Sequence, residues 1–545
     1  MNIPSIRSYL RRLQQDRRGV GVIMLAILLP VVLMICSIAV DGLQAVVFKQ
    51  KLQNAADATI LAVVKKSAVN EHISVNELKK YGEEFLKSQF HGVYKIDSFI
   101  VNPGNSSARI ELTGNVHGIF SSIFNVEILR YKVISAAEFD RMKLEVALVL
   151  DNSRSISDAE LAGVKAAAKE LVDSLMTVNG TGYSRQTLIS IVPFAGTVRL
   201  PQSEMGEWWI DLYQGTAPNH RDHINRVSKS VRGGSPYNWN PTRGELFDQV
   251  SDQRWAGCVE HRQYPFDTRD FPALKWDPST WFLPYFAFDI PDIVKGKPVD
   301  KADSANNNWL EDDGGVCSGG VPSDFMENVD NTCKYGVPGQ PVTSNGTMAD
   351  LKGDRIRRGP NFYCTMSPLL PLTSNRDEIF AALDAMVNDH INVTDLTIGL
   401  TWGWRALTPS PPLDQSTSEN FDNDSHKILI LMTDGANASP VAETRNYGAW
   451  GFPSDGRLDR SLTIDSKNEV VNAFMDRRTS ETCSHAKYAN IKVITVNFGT
   501  NDDGIELLRN CASSPADFYL APDVKSLNDV FRSISQSIGT LRLTK

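Results

Sequence analysis

The sequence lacks the short signatures of common enzyme centres. It contains no G-x-S-x-G around a serine, no H-E-x-x-H and no phosphate-binding glycine loop of the Walker type. Its nine histidines are scattered, and none lies in a motif that names a nucleophile or a base. These absences predict a binding protein and not an enzyme.

The chain also has no excess of basic residues. It carries 56 Lys and Arg against 64 Asp and Glu, a net charge of −8. Because binding to nucleic acid needs a basic face, we expect no nucleic-acid partner. The apolar content of 42% is typical of a globular protein, and 545 residues are too many for one hydrophobic core.

No two of the seven cysteines form a C-x-x-C pair, which argues against a zinc ribbon or a thioredoxin-type centre. Cys36 lies in an apolar amino-terminal stretch, and the other six predict disulfides if their part of the chain is exported. The alternative is buried free thiols in a cytosolic protein. Since Cys483 and Cys511 lie in helices that flank one predicted strand, we predict a disulfide between them. The other four cysteines are predicted to pair among themselves in an unknown pattern: Cys258, Cys317, Cys333 and Cys364.

Residues 19–40 contain no charged side chain. As a helix, these 22 residues would span about 33 Å, enough for a bilayer core of roughly 30 Å. Five arginines precede the stretch and Asp41 follows it, which predicts a cytoplasmic tail over residues 1–18 and a periplasmic location for the rest. The alternative is a cleaved signal peptide. The length of the run and the lack of an A-x-A site after it favour a retained anchor.

A nearly continuous apolar run ends in a cluster of oxygen-bearing side chains within residues 144–155. Six of the first seven residues of this stretch are apolar, which is typical of a strand covered on both faces. Asp151, Ser153 and Ser155 follow the run at a spacing of two. One carboxylate and two hydroxyls are hard oxygen ligands that suit Mg²⁺, Mn²⁺ or Ca²⁺. The alternative is a simple helix cap, since Asp and Ser also satisfy free N–H groups at helix starts.

Two later segments complete a pattern of three loops. A mostly apolar predicted strand at 427–432 leads into a T-D-G turn that carries Asp434, and a segment with Thr394 precedes it. With the D-x-S-x-S turn, these segments resemble the von Willebrand factor A domain and its metal-ion-dependent adhesion site. Thr397 stays an alternative to Thr394, and Arg154 stands where the family usually has glycine. The resemblance implies five ligands: Asp151, Ser153, Ser155, Thr394 and Asp434.

The resemblance also implies a mechanism of binding. Five protein groups leave one position of an octahedral divalent cation, most simply Mg²⁺ but also Ca²⁺ or Mn²⁺, for an acidic side chain of a protein partner. A lesser alternative is a Mg-dependent hydrolase that uses Asp151 and Asp434. That alternative lacks a positioned lysine or arginine, a base and a phosphate-binding loop.

Both ends of the chain resemble a second family. Four segments are similar to TadG-like proteins of the Flp (tad) pilus-assembly system. They are the R-R-G start of the apolar stretch, the L-Q-N-A-A-D-A segment after it, the T-W-G-W-R segment at 401–405 and the C-A-S-S-P segment at 511–515. The resemblance implies an inner-membrane protein with a von Willebrand A domain. Its partners would be components of pilus assembly or of the envelope. The alternative is a surface adhesin or envelope scaffold unrelated to pili.

The order of predicted elements divides the chain. Residues 41–141 predict a helical extension and a small α+β stalk. Strands alternate with helices over 142–200 and 361–545, which indicates an α/β fold with a doubly wound, mostly parallel sheet. Residues 201–360, rich in tryptophan and holding three cysteines, are predicted to be an inserted subdomain, because a structureless loop of that length does not fit a compact domain. We expect its tryptophans to fill a small core of its own.

Overall fold

A computed structural model of the chain describes residues 20–69, 73–102, 107–116, 129–138, 143–176, 187–224, 240–299, 306–312, 324–336, 341–344, 358–388, 393–416, 425–439 and 445–540. The described residues form two compact units, one before residue 142 and one after it. The predicted cytoplasmic tail, residues 1–18, and Cys317 lie outside the described residues.

The amino-terminal unit combines two helices with a three-stranded antiparallel sheet of order β1-β2-β3. Helix α2 begins in a capping box, in which the Ser74 hydroxyl accepts the Glu77 N–H and the Glu77 carboxylate accepts the Ser74 N–H. Apolar side chains from α1, α2 and one face of the sheet form its core. The elements are α1 (Val20–Val69), α2 (Val75–Gln89), β1 (Tyr94–Asn102), β2 (Ser107–Val116) and β3 (Leu129–Glu138).

The predicted anchor falls in the first part of α1. Most of its side chains lie outside the part of the chain that the structure describes. Among the described residues, no helix has the length and apolar character needed to cross a membrane.

The second unit is a mixed α/β fold around one mostly parallel sheet, as the alternation of strands and helices predicts. The sheet contains β4 (Lys143–Asp151), β5 (Thr187–Phe194), β6 (Val198–Arg199), β7 (Cys258–Val259), β10 (Leu370–Thr373), β11 (Ser425–Thr433), β12 (Lys492–Phe498) and β13 (Phe518–Ala521); β8 (Ile293–Val294) and β9 (Lys297–Pro298) form a separate hairpin. The helices are α3 (Asp158–Met176), α4 (Arg243–Gln249), α5 (Phe325–Val329), α6 (Arg376–Ala385), α7 (Leu396–Ala406), α8 (Asn468–Tyr488), α9 (Ile505–Cys511) and α10 (Val524–Thr540).

Strand β4 lies in the middle of this sheet, whose order is β13-β12-β11-β4-β5-β6-β7. All pairs from β13 to β5 are parallel, and Leu148 of β4 lies opposite Ile430 of β11 and Ile191 of β5. Strand β6 pairs antiparallel with both β5 and β7, and β10 pairs antiparallel with β5. The sequence analysis missed these three strands, because runs of two to four residues carry too little periodicity to identify.

Apolar side chains cover both faces of the sheet. Ala147 and Val149 of β4 pack in one layer with α7, α8 and α9, whereas Leu148 and Leu150 pack in the other with α3, α6 and α10. Alternate residues of a strand point to opposite faces, so an apolar run in β4 serves both layers.

The described buried tryptophans of the insertion belong to a core shared with the sheet and not to a separate one, contrary to the expectation from the sequence. Trp209 and Trp309 are buried in the same layer as Val149, and two residues of the insertion form edge strand β7. The reason lies in α7, whose residues are buried on every side. Its Trp402 packs against Phe282 of the insertion with ring centroids 5.1 Å apart. A helix that is buried all round is covered by protein on the side away from the sheet as well, and the insertion supplies that cover.

Two disulfides are present among the described cysteines. Cys483 in α8 and Cys511 at the end of α9 are bonded, with Cα atoms 5.1 Å apart, as predicted. Cys258 of β7 is bonded to Cys364, which ties the insertion to the segment that follows it. Both bonds join segments distant in the sequence and therefore restrict the unfolded chain.

His223 joins three segments of the second unit through both ring nitrogens. Its Nδ1 lies 2.8 Å from an Asp330 oxygen and its Nε2 lies 3.1 Å from an Asp455 oxygen. Burial opposes a charge on the ring, but the carboxylates of Asp455 and Asp330 outweigh it and raise the pKa of His223 to about 9. The ring is therefore a buried imidazolium at neutral pH.

This contact predicts a pH-dependent contribution to stability. Since the folded pKa is raised, the contribution is fully present below the unfolded pKa of about 6.5 and is lost as pH rises through about 9. We expect His223→Gln to lower the free energy of unfolding by about 3 kcal/mol at pH 6 and by much less at pH 10. Urea unfolding of the two chains at both pH values measures this. An equal loss at both would contradict the charged state of the ring.

Candidate metal centre

The predicted ligands of the first and third loops meet at the carboxyl ends of two neighbouring strands. Strands β4 and β11 run parallel, with Leu150 opposite Met432. Strand β4 ends at Asp151 and β11 ends at Thr433, so Asp434 follows directly beside Asp151. The register of the sheet therefore brings together two carboxylates that are far apart in the sequence.

Hydrogen bonds link these side chains into one set. The Asp151 carboxylate accepts the Ser153 N–H at 2.8 Å and the Thr433 hydroxyl at 2.6 Å. The hydroxyls of Ser153 and Ser155 lie 2.8 Å apart, and Ser155 donates to Asp434 at 2.8 Å. Four of the five predicted ligands are thus joined by consecutive hydrogen bonds, and the link between Asp151 and Ser153 is made by the Ser153 backbone N–H.

The two carboxylates raise each other's cost of ionisation. Burial, and then the charge of Asp434, raise the pKa of Asp151 to about 7. Burial also raises the pKa of Asp434, and the nearby carboxylate of Glu160 adds to the effect. A positive charge close to the two acids would therefore lower the free-energy cost of ionising both of them.

The composition of the set suits a hard divalent cation. No lysine or arginine is among the described groups that shift the pKa of Asp151 or of Asp434. Nor do the described residues contain a group of three or more His, Cys, Asp and Glu side chains that could hold a metal ion. A cation here would rely on two carboxylates and on hydroxyls, the ligands that Mg²⁺ and Mn²⁺ prefer.

Thr394 lies beside this set but outside its hydrogen-bond chain. It is buried, and its backbone exchanges hydrogen bonds with Ala438 of the third loop at 3.0 and 2.9 Å. Thr397, the alternative ligand, shares a hydrogen bond of 2.9 Å with Thr479 of α8. Of the two threonines, Thr394 is the one that is held against the third loop.

Glycines bring α7 close enough to the sheet to position this second loop. A Cβ on Gly403 would lie 2.3 Å from a methyl group of Val149, and one on Gly399 would lie 2.7 Å from the ring of Phe194. Asp395 caps α7, since one of its oxygens accepts the Ile398 N–H at 3.1 Å. Only glycine at these two helix positions permits so close an approach.

Sequence reasoning missed three residues that support the loops. Thr433 contacts Asp151 directly, and its place in the T-D-G turn was the available signal. Asn437 accepts the Leu396 N–H at 2.8 Å and donates to Thr479 at 3.0 Å, which fixes the third loop to α7 and α8. His261 of the insertion carried no sequence signal, because only the fold places it 2.8 Å from Asp395.

Comparison with protein families identifies the amino-terminal segment. Residues 19–66 match the family described as putative Flp pilus-assembly TadE/G-like. The resemblance predicted from the R-R-G start and the L-Q-N-A-A-D-A segment is confirmed. No curated protein matches the chain.

Solved structures similar to the chain include pilus proteins. The chain is 10% identical to the vWF domain of the type V pili tip protein Mfa5 from Porphyromonas gingivalis, with a TM-score of 0.32 and coverage of 74% of this chain and 97% of that one. It is 12% identical to the pilus adhesin RrgA from Streptococcus pneumoniae, with a TM-score of 0.31 and coverage of 82% and 48%. It is 13% identical to proximal thread matrix protein 1 from the mussel byssus, solved with a zinc-occupied MIDAS motif, with a TM-score of 0.19 and coverage of 73% and 96%.

Other similar chains are much longer than the matched part. The chain spans only 34% to 47% of the length of three of them. At these TM-scores, none of the likenesses bears on what this chain binds.

The electrostatics of the centre predict opposite effects of one substitution with and without metal. In the metal-free chain at pH 8, we expect Asp434→Asn to raise the free energy of unfolding by about 1 kcal/mol, because it removes a like charge beside Asp151. With Mg²⁺ or Mn²⁺ in excess, the parent should gain stability from binding and the variant should not. Urea unfolding in EDTA and in metal measures both. A variant that is less stable in EDTA would contradict this electrostatic account.

Proposed function

We propose that the chain is a membrane-anchored, periplasm-facing binding protein of Flp-type pilus assembly or secretion, and that it binds protein partners through a divalent cation. One observation carries the metal part of this proposal. Side chains from two loops that are distant in the sequence, Asp151 with its serines and Asp434, form one hydrogen-bonded set of oxygen ligands. The pilus part rests on the TadE/G-like segment.

The ligand set would be Asp151, Ser153, Ser155, Thr394 and Asp434. When bound, the cation would supply a coordination position for a carboxylate of the partner. Thr433 would hold the Asp151 carboxylate in place, since its hydroxyl already donates to it. Because its hydrogen-bond partners are hydroxyls, carboxylates and backbone groups, the set suits ion binding better than acid–base chemistry.

The anchor and the periplasmic location belong to the same proposal. The uncharged stretch 19–40 lies in the family segment, with arginines before it and an acid after it. The two disulfides among the described cysteines accord with an oxidising compartment. We therefore place the chain in the bacterial inner membrane as a single-pass protein with its amino end in the cytoplasm.

The metal site has a direct test in the full chain, purified in detergent. We expect calorimetric titration with Mn²⁺ to give one saturable site, whose affinity falls at least about tenfold in Ser155→Ala, since a hydroxyl ligand is lost. Ser174→Ala removes an exposed hydroxyl of α3, whose partner is Ser535, and serves as the matched control. Equal affinity in the two variants, or no saturable binding in the parent, would overturn the metal site.

The location is tested separately by a reporter. A phosphatase that is active only in the periplasm, fused after Lys545, should be active in cells, because one span with a cytoplasmic amino end places the carboxyl end outside. Moving the five arginines of the tail to the far side of the stretch should reduce this activity. Activity of a cytoplasm-dependent reporter at the same position would contradict the proposed topology.

A further inference from the structure

The surroundings of the candidate metal centre carry far more negative than positive charge. The stretches 151–160, 434–439 and 499–506 contain one basic residue, Arg154, which is exposed. Apart from the two ligands Asp151 and Asp434, they contain five acids that we call the acidic rim: Asp158, Glu160, Asp502, Asp503 and Glu506.

Three members of the rim have an ordinary structural explanation. Asp158 and Glu160 lie in the first turn of α3, and Glu506 lies in the first turn of α9. Acids at these positions favour the helix dipole, and Glu160 also accepts the Ser157 N–H at 2.9 Å. Helix starts therefore account for these three without any partner.

Asp502 and Asp503 have no such role, because they precede α9. Their loop packs directly on the third ligand loop. A Cβ on Gly504 would lie 3.0 Å from the backbone nitrogen of Ala436, and one on Gly435 would lie 3.2 Å from the side chain of Asn501. Both aspartates are exposed and directly follow Asn501, which contacts Gly435 beside Asp434.

The conformation of this loop is fixed by hydrogen bonds. Asn497, at the end of β12, donates to the carbonyl oxygen of Asn501 at 3.1 Å. The side chain of Asn501 accepts the Asp503 N–H at 3.0 Å, as in an Asx turn. Gly504 has a φ of +85°, a conformation that favours glycine. These contacts fix the backbone of the loop that carries the two acids beside the third ligand loop.

These charges constrain the partner. A divalent cation neutralises Asp151 and Asp434, which leaves five acids and one arginine in these three stretches. A partner that offers one carboxylate within an acidic surface would meet this negative field at short range. A carboxylate flanked by lysine or arginine would bring the charges that the rim lacks.

We propose that the metal-bound site selects a basic partner segment that carries a single acidic side chain between cationic residues, with Asp502 and Asp503 as determinants of that selection. This inference rests on the proposed function, because it concerns the partner of the same site. It adds the chemistry of the partner surface: basic at the rim and acidic only at the metal.

The test uses three labelled synthetic peptides of equal length, each with one central aspartate flanked by lysines, by serines or by glutamates. Binding to the full chain in detergent is measured by fluorescence anisotropy in Mg²⁺ and in EDTA. We expect Mg-dependent binding that is strongest for the lysine-flanked peptide and weakest for the glutamate-flanked one. The preference should shrink in high salt, since exposed charges are screened.

Variants then assign the preference to the rim. Asp502→Asn with Asp503→Asn should reduce the preference for lysine over glutamate about fivefold, with metal binding retained. The matched control is Glu207→Gln with Asp414→Asn, which removes two exposed acids elsewhere in the same unit. Asp414 lies two residues before Ser416, which contacts Glu145 near the opposite end of β4.

The outcomes separate this inference from the function on which it rests. Mg-dependent binding that is equal for the three peptides, or a preference that survives the rim variant, overturns the inference and leaves the metal site standing. Binding of every peptide that is indifferent to EDTA and to Asp151→Ala, or no binding of any, overturns both. A preference lost in the rim variant and kept in the control supports the inference.

Discussion

The proximity of Asp151 and Asp434 is the constraint on which the functional part of the fold depends. Two neighbouring parallel strands end at the same edge of the sheet, and each delivers one carboxylate there. Burial makes the pair costly to ionise, and Thr433 and Ser155 each donate a hydrogen bond to one of the carboxylates. Two carboxylates whose burial raises the cost of their ionisation are a costly feature of the kind that occurs at binding sites.

The elements around this pair were largely predictable, because their sequence patterns are strong. The apolar run before Asp151 predicted a strand covered on both faces, and this strand is observed as β4 in the middle of the sheet. Strands alternating with helices were predicted over 361–545, and α6 and α8 are two of the helices observed there. Long, strongly periodic segments carry enough signal to identify an element without knowledge of its neighbours.

Contacts between distant segments were not predictable in the same way. Nothing near His261 in the sequence points to Asp395, since only the path of the insertion brings them within 2.8 Å. The tryptophans of the insertion were expected to fill a core of their own, but the insertion packs on α7, where Phe282 contacts Trp402. The Cys483–Cys511 bond was predictable because both cysteines flank one strand, whereas four remaining cysteines allow three pairings.

Within the described residues, His261 of the insertion contacts Asp395, which follows Thr394 in the second loop. His261 stacks on Trp450, with ring centroids 3.6 Å apart, and faces the carboxylate of Asp395. The same carboxylate caps α7, and the backbone N–H of Asp395 donates to the carbonyl oxygen of Ala195, which follows β5. Thr394 precedes this residue and is paired with Ala438 of the third loop. The position of Thr394 therefore depends on the insertion as well as on the sheet. The core that the insertion shares with the sheet thus also supports the second and third loops of the candidate centre.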